Sequence, residues 1–283
     1  MILILGASGY IGSYLLKRFE EENFSVLGTY NKNPKPKSIQ FDFENSDIKD
    51  ICLGKPLTHV IFSAFVNGTI DGTRKNWENS YKINVLKTKE HLRYCFENNI
   101  IPVYLSTDNV FDGERGDYRE EDSTNPLNCY GKIKQEIEDY LKSSMKPYLI
   151  LRLGRVFSLN KDDGSIIVST IEKMKENKKL DFVNDQKFTP IYLEDLFYFF
   201  KFLIEKNHKG IFHLASCNPI THYEIAKKIK EHFKMNLELG QCTFDSLNLL
   251  EKRPKLIYLN TDKIKSLTGF KEKPVEYFIQ LIN

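Results

Sequence analysis

The chain opens on an unbroken apolar run at residues 2–5, and comparable short runs recur at 59–64, 103–106 and 148–153. Runs of that length without alternation are expected of parallel strands covered on both faces. Between them lie stretches whose apolar residues recur at helical spacing: Tyr14, Leu15, Leu16 and Phe19, then 77–98, then 130–144. With further strands predicted at 24–30 and 39–43, strand alternates with helix. That order predicts an α/β chain with a doubly wound parallel sheet of the Rossmann type. Beyond residue 157 the pattern changes to a helix at 166–175, short strands near Leu180 and Phe188, a helix at 193–204, a strand at 211–214, a helix at 221–233 and a strand at 256–259. These pieces cannot build a second symmetric half. The expected division is a nucleotide-binding domain over 1–157, with 188–205 also contributing, and a smaller substrate-binding lobe over 158–283 that closes on the sheet's carboxyl edge.

The first strand feeds directly into Gly6-x-x-Gly9-x-x-Gly12, with Ser8, Tyr10 and Ile11 in the gaps, and then into a helix. A glycine turn between strand and helix brings backbone N–H groups to a pyrophosphate at the positive end of the helix, which is how a dinucleotide is held. An NAD-selective site places an acid at the end of the second strand to bind the ribose 2′-OH. Here Thr29-Tyr30-Asn31-Lys32 holds none. Asn31 and Lys32 are therefore expected at a 2′-phosphate, which favours NADPH and leaves NADH possible; a solvated loop lysine is the plainer alternative. Asp42 and Phe43 end the third predicted strand near the adenine, or Asp42 is a simple loop aspartate. Ser63, Ala64 and Phe65 follow the fourth strand on the cofactor side.

The fifth strand ends in Ser106-Thr107-Asp108, and beyond a long acidic loop a helix opens with Tyr130-Gly131-Lys132-Ile133-Lys134. Positions i and i+4 share a helix face, so Tyr130 and Lys134 point together. A phenol, with an ordinary pKa of about 10, exchanges protons poorly at neutral pH unless a neighbouring cation favours the phenolate. Such a pair hands a proton to a carbonyl oxygen while the Thr107 hydroxyl donates a hydrogen bond to the same oxygen. Tyr223 and Lys227 repeat the spacing without a comparable strand before them, so position and not spacing singles out Tyr130. His213, ending an apolar run, reads as a packed, hydrogen-bonded core residue.

Composition narrows the field further. Of 283 residues, 41% are hydrophobic and 28% charged, and 41 basic against 38 acidic side chains leave a net charge of +3 spread along the chain. No nucleic-acid footprint results. Glu194, Asp195 and Lys201 interrupt the most apolar stretch, 191–204, which argues against a membrane span. Five cysteines without ligand spacing fit a reducing cytoplasm and no disulfide framework. His208, His213 and His222 share no metal-ligand spacing, so no metal is expected.

With these segments in view, the chain resembles the extended short-chain dehydrogenase/reductase family over nearly its whole length, and within it the dTDP-4-dehydrorhamnose reductases. The matching segments are Gly6-x-x-Gly9-x-x-Gly12, residues 106–113, Tyr130-Gly131-x-x-Lys134, Thr189-Pro190-Ile191-Tyr192 with Asp195-Leu196, and Arg253-Pro254. The resemblance implies a nicotinamide cofactor and reduction of the keto group of a nucleotide-activated deoxy sugar, as in dTDP-rhamnose and polysaccharide biosynthesis. It implies Tyr130 as proton donor, Thr107 as carbonyl polariser and Lys134 as the residue that binds ribose and lowers the phenol's pKa. Asp108 joins the catalytic set, and Thr107, Asp108, Asn109, Arg155 and Arg253 become the expected substrate contacts. The branch usually has Tyr at Asn109 and often Trp at Arg155, so both departures bear on which sugar is bound. Related dehydratases use a Thr-Asp-Glu sequence, whose Glu is Asn109 here, and epimerases tend to have a small residue at Asp108; reduction is favoured over both. The regulatory subunit of some methionine adenosyltransferases also resembles this branch, which keeps a non-catalytic partner role open. A second copy of the chain is a further expected partner.

Overall fold

Strands β1 (Ile2–Leu5), β2 (Val26–Tyr30), β3 (Ser38–Gln40), β4 (His59–Phe62), β5 (Ile101–Thr107) and β6 (Leu149–Leu153) join Gly210–Leu214 in a seven-stranded parallel sheet. This is a computed structural model, and it describes residues 1–161 and 163–282. The strand order is Gly210–Leu214, β6, β5, β4, β1, β2, β3. Successive strands run outward from β1 in one direction and from β4 in the other. The order therefore reverses between β1 and β4, where ligands bind in open α/β sheets. Leu3 lies opposite Leu27 of β2 and Val60 of β4. All four β1 residues are buried, as their unbroken apolar pattern requires.

Among the predicted elements, three differ most from the sequence reading. Strand β3 stops at Gln40 and does not reach residue 43, because Asp42 accepts hydrogen bonds from Glu44 N (3.0 Å) and Asn45 Nδ2 (2.8 Å) and turns the chain away. The helix expected over 77–98 is present as Trp77–Tyr81 and Thr88–Glu97, but with a π-helical stretch, Lys82–Lys87, between them. The strand expected at 256–259 is replaced by isolated bridges of Leu256 to Lys187 and of Leu259 to Tyr118. Its amides bond to different segments, Leu256 N to Gly113 O and Ile257 N to Lys187 O, so no continuous ladder forms.

Contacts cluster into two units, one comprising 1–107, 128–151 and 203–211, the other 108–127, 152–202 and the chain from 212 on. The chain passes between them repeatedly and not once at residue 157, and of the segment 188–205 only 203–205 falls in the first unit. The first unit's core joins Leu3, Leu5, Val60 and Phe62 of the sheet to Val85, Leu92, Ile133 and Ile137 of the helices. In the second unit, Phe157, Ile171, Phe182, Phe188, Ile225 and Phe278 form the core. Around it lie three two-stranded pairs: Arg155–Phe157 with Pro190–Tyr192, Lys187–Phe188 with Ile220–Thr221, and Lys179–Val183 with Glu238–Cys242. The helix His222–His232 starts where Thr221 and Glu224 exchange side-chain bonds to each other's backbone, a capping box. Among the described residues, no helix is long and apolar enough to cross a membrane.

Candidate active site

The glycine turn follows β1 at the switch point. Gly6 has φ +86°, and a Cβ there would lie 2.6 Å from Ala64 N, immediately after β4. At Gly12 a Cβ would lie 2.3 Å from the Gly6 carbonyl oxygen. Neither position accepts a side chain, since real Cβ contacts are longer, and at Gly6 the positive φ also disfavours L-residues. Gly9 N donates to Gly6 O at 3.1 Å and closes the turn. The helix Tyr10–Glu21 then begins with Gly9 as N-cap, without a side-chain cap and without an acid in its first turn. The opening N–H groups of a helix are a favourable place for an anion. Gly9 and Tyr10 are exposed there, and Ser8 and Ile11 half-buried.

Ser63, Ala64 and Phe65 leave β4 half-buried beside this turn. The Phe65 ring meets Tyr130 edge-on, with centroids 5.0 Å apart. Tyr130 is the second residue of the helix Cys129–Ser143, whose start is fixed by Asn128 accepting from Gly131 N at 2.9 Å. One turn on, Lys134 is buried, and its Nζ donates to Leu105 O of β5 at 2.7 Å. The same nitrogen lies 4.5 Å from the Phe65 ring centroid, 4.8 Å from that of Tyr104 and 5.9 Å from that of Tyr130. Burial lowers the Lys134 pKa to about 7, opposed by the Glu138 carboxylate. Thr107 ends β5 two residues beyond the carbonyl that Lys134 holds, and it is buried. Glycine turn, Ala64, Phe65, Tyr130, Lys134 and the end of β5 therefore form one connected set within the first unit.

The remaining expected residues divide. Asp108 is buried and accepts from Asn109 Nδ2 at 2.8 Å. It acts electrostatically on the exposed Arg155, whose guanidinium lies 5.5 Å from the Phe188 ring centroid. Arg253 donates to Glu251 O at 2.8 Å and lines a cavity of about 970 Å³ in the second unit together with Asp112, Phe244 and Leu250. Asn31 and Lys32 are exposed after β2. Asp42 has its carboxylate engaged in its own turn, mainly by Asn45, which lowers its pKa. Phe43 packs on His91 with ring centroids 4.8 Å apart, so its ring serves the core. His213 is fully buried, with Nδ1 3.0 Å from Tyr118 O and Nε2 3.2 Å from Arg152 Nη1. Burial first, then Arg152, holds its pKa near 3, which leaves no usable acid or base.

Two residues of the first unit gained no role from the sequence. Asn84, in the π-helical stretch, is buried; its Oδ1 accepts from Val66 N at 2.9 Å and its Nδ2 donates to Val66 O at 3.0 Å. It thereby fixes the backbone just after Phe65. Single π turns are frequent at functional sites, but the apolar spacing around Asn84 suits an ordinary helix and conceals the extra residue. Glu138 is fully buried one turn after Lys134. An acid on the face that also carries Ile133, Ile137 and Leu141 was the available signal.

The protein-family model described as the RmlD substrate binding domain matches residues 1–282. The chain belongs to that family. In keeping with it, the RmlD-type chain is 28% identical to a hypothetical dTDP-4-dehydrorhamnose reductase from Sulfolobus tokodaii, covering 95% of each chain with a TM-score of 0.84. A dTDP-4-dehydrorhamnose reductase from Clostridium acetobutylicum ATCC 824 is 27% identical, over 99% of this chain and 98% of the other, also with a TM-score of 0.84. Methionine adenosyltransferase 2 subunit beta of Bos taurus is 26% identical over 273 residues, 94% of this chain and 82% of the bovine protein. RmlD-type chains of this kind are members of the extended short-chain dehydrogenase/reductase superfamily.

Proposed function

We propose that this protein reduces the keto group of a nucleotide-linked sugar, using NADPH. The observation that carries the reading is the Lys134–Leu105 bond, which fastens the Tyr130 helix to the strand ending in Thr107 beside the glycine turn. A dinucleotide suits that turn, since Gly6 and Gly12 let strand, turn and helix approach so closely that a Cβ at either would strike Ala64 or the Gly6 carbonyl, the tight packing that a strand–turn–helix phosphate site needs. Gly6, Gly9 and Gly12 with Ser8, Tyr10 and Ile11 would hold the pyrophosphate, Asn31 and Lys32 the 2′-phosphate, and Ser63 to Phe65 with Lys134 the nicotinamide half. When bound, the reduced nicotinamide supplies the hydride that reaches the carbonyl carbon. Tyr130 donates its proton to the carbonyl oxygen, and the Thr107 hydroxyl hydrogen-bonds that oxygen. A buried ammonium next to Tyr130 favours the phenolate left behind. An odd count of five cysteines without ligand spacing agrees with a reducing cytoplasm.

The direct test is consumption of NADPH with a panel of nucleotide-4-keto-sugars. No turnover with any of them, together with tight capture of a methionine adenosyltransferase catalytic subunit, would transfer the conclusion to a non-catalytic partner role. That second reading draws on the similarity to the bovine beta subunit.

Cofactor choice is a separate expectation. Residues 29–32 contain no acid, and Lys32 is exposed after β2, so kcat/KM is expected to be higher with NADPH than with NADH. A clear NADH preference would contradict it, and equal values would remove Lys32 from the cofactor contacts.

On the substrate side, the Arg155 guanidinium has the forked geometry that suits a diphosphate or a carboxylate. Arg155→Ala is expected to raise KM for the sugar nucleotide by about tenfold or more, roughly the loss of one charge-assisted hydrogen bond, with the dissociation constant for NADPH nearly unchanged. An unaltered KM would return Arg155 to being an exposed residue after a strand.

A further inference from the structure

The helix Cys129–Ser143 carries a second buried ionisable group that the proposed chemistry does not use. Glu138 has no exposed surface, and its Oε1 accepts from Ser106 Oγ at 2.5 Å. Alternation along β5 puts Tyr104 and Ser106 on one face of the strand. The two helix residues meet that face in order, Lys134 against the Tyr104 ring at 4.8 Å and Glu138 against Ser106. Lys134 and Glu138 are four residues apart and share a helix face. On the far side of Glu138, Lys142 Nζ lies 4.0 Å from Oε2 with its side chain 34% exposed. The groups facing Lys134 are thus Glu138 and the Tyr130 ring on its own helix, the Tyr104 ring and Leu105 carbonyl on β5, and the Phe65 ring. Among those groups Glu138 is the one carboxylate.

A buried ammonium held by one carbonyl and aromatic faces is under strong pressure to lose its proton, because desolvation disfavours the charged form. Aromatic faces and a carbonyl offset that only in part. An opposite charge nearby restores the protonated state. Glu138 is that charge, and Ser106 anchors it to the strand that presents Leu105 and Thr107.

We propose that Glu138 is a positioning residue for this site: through Ser106 it pins the helix to the end of β5, alongside the Lys134–Leu105 bond, and it favours the charged form of Lys134 beside Tyr130. The proposal rests on the reductase reading for its consequence in catalysis, but not for its electrostatics.

Two measurements separate these. In the full-length protein labelled with ¹³C at lysine Cε, the Lys134 resonance, identified by its loss in Lys134→Met, is titrated in wild type and in Glu138→Gln. Glutamine keeps the volume and an acceptor for Ser106, so only the charge is lost. The Lys134 midpoint, held near 7 in the wild type by burial against Glu138, is expected to fall by about one unit or more. An unchanged midpoint overturns the proposal whatever the protein's function is. Ser106→Ala, which keeps the carboxylate, is expected to leave the midpoint in place; an equal fall in both variants would make the effect one of packing and also overturn it. If Glu138→Gln does not fold, the double change Glu138→Met with Ser106→Ala carries the same test, since replacing both buried partners by apolar groups of like shape is nearly neutral. If keto-sugar turnover has been established, the pH above which kcat/KM declines should move down in Glu138→Gln by the same interval, with the acidic plateau retained. A uniform loss at every pH would overturn the catalytic consequence and leave the electrostatic result standing.

Discussion

Tyr130→Phe is expected to lower kcat by about 10²–10⁴-fold, the usual contribution of a positioned general acid, while NADPH still binds. Phenylalanine keeps the ring that meets Phe65 edge-on at 5.0 Å, so packing at the start of the helix is preserved and only the proton donor is deleted. Tyr223→Phe is the internal control. Tyr223 shares the Tyr-x-x-x-Lys spacing but packs half-buried against the core of the second unit, in a helix that no Thr107-bearing strand precedes. Its loss should leave kcat within a few-fold of wild type. Steady-state rates on the keto-sugar identified by the substrate screen, with NADPH affinity measured by fluorescence titration, decide the matter. If Tyr130→Phe retained full activity, the proton would have to come from another group, and the assignment of this helix to the chemistry would fall.

Gly6→Ala should weaken NADPH binding by more than tenfold and destabilise the fold by about 1–3 kcal/mol, the cost of a strained backbone at a non-glycine residue. Two effects combine at this position. The φ of +86° is unfavourable for alanine, and the added Cβ would stand 2.6 Å from Ala64 N. That contact is with backbone, so relief requires β1 and the segment after β4 to separate. The displacement passes to Phe65 and hence to its contact with Tyr130. Urea unfolding with and without NADPH measures both parts. Wild-type stability together with wild-type affinity would mean that the turn has room the structure does not show, and the dinucleotide reading would lose its support.

Much of the first unit was legible in the chain because its elements announce themselves locally. An all-apolar run such as residues 2–5 has no stable place except between covered faces, and glycine at 6 and 12 marks where the backbone must come close. The Tyr130 and Lys134 pair was readable because helical spacing fixes which residues share a face.

What the chain alone did not determine depends on residues far apart in it. Asp42 was expected near the adenine, and what the sequence did not give is the turn in which its carboxylate accepts from Glu44 N and Asn45 Nδ2. Residues 256–259 had the pattern of a strand, but Gly113 and Lys187 divide their hydrogen bonds. The passage of the chain between two units, and the pairing of Lys179–Val183 with the weakly patterned Glu238–Cys242, also follow from distant contacts. Lys134 shows the difference most clearly. Its spacing from Tyr130 is written in the sequence, but its readiness to lose a proton near neutrality is set by burial under Phe65 and Tyr104, against the opposing Glu138 carboxylate. Spacing is a property of the helix, whereas desolvation depends on everything packed around the nitrogen, and only the tertiary structure supplies that.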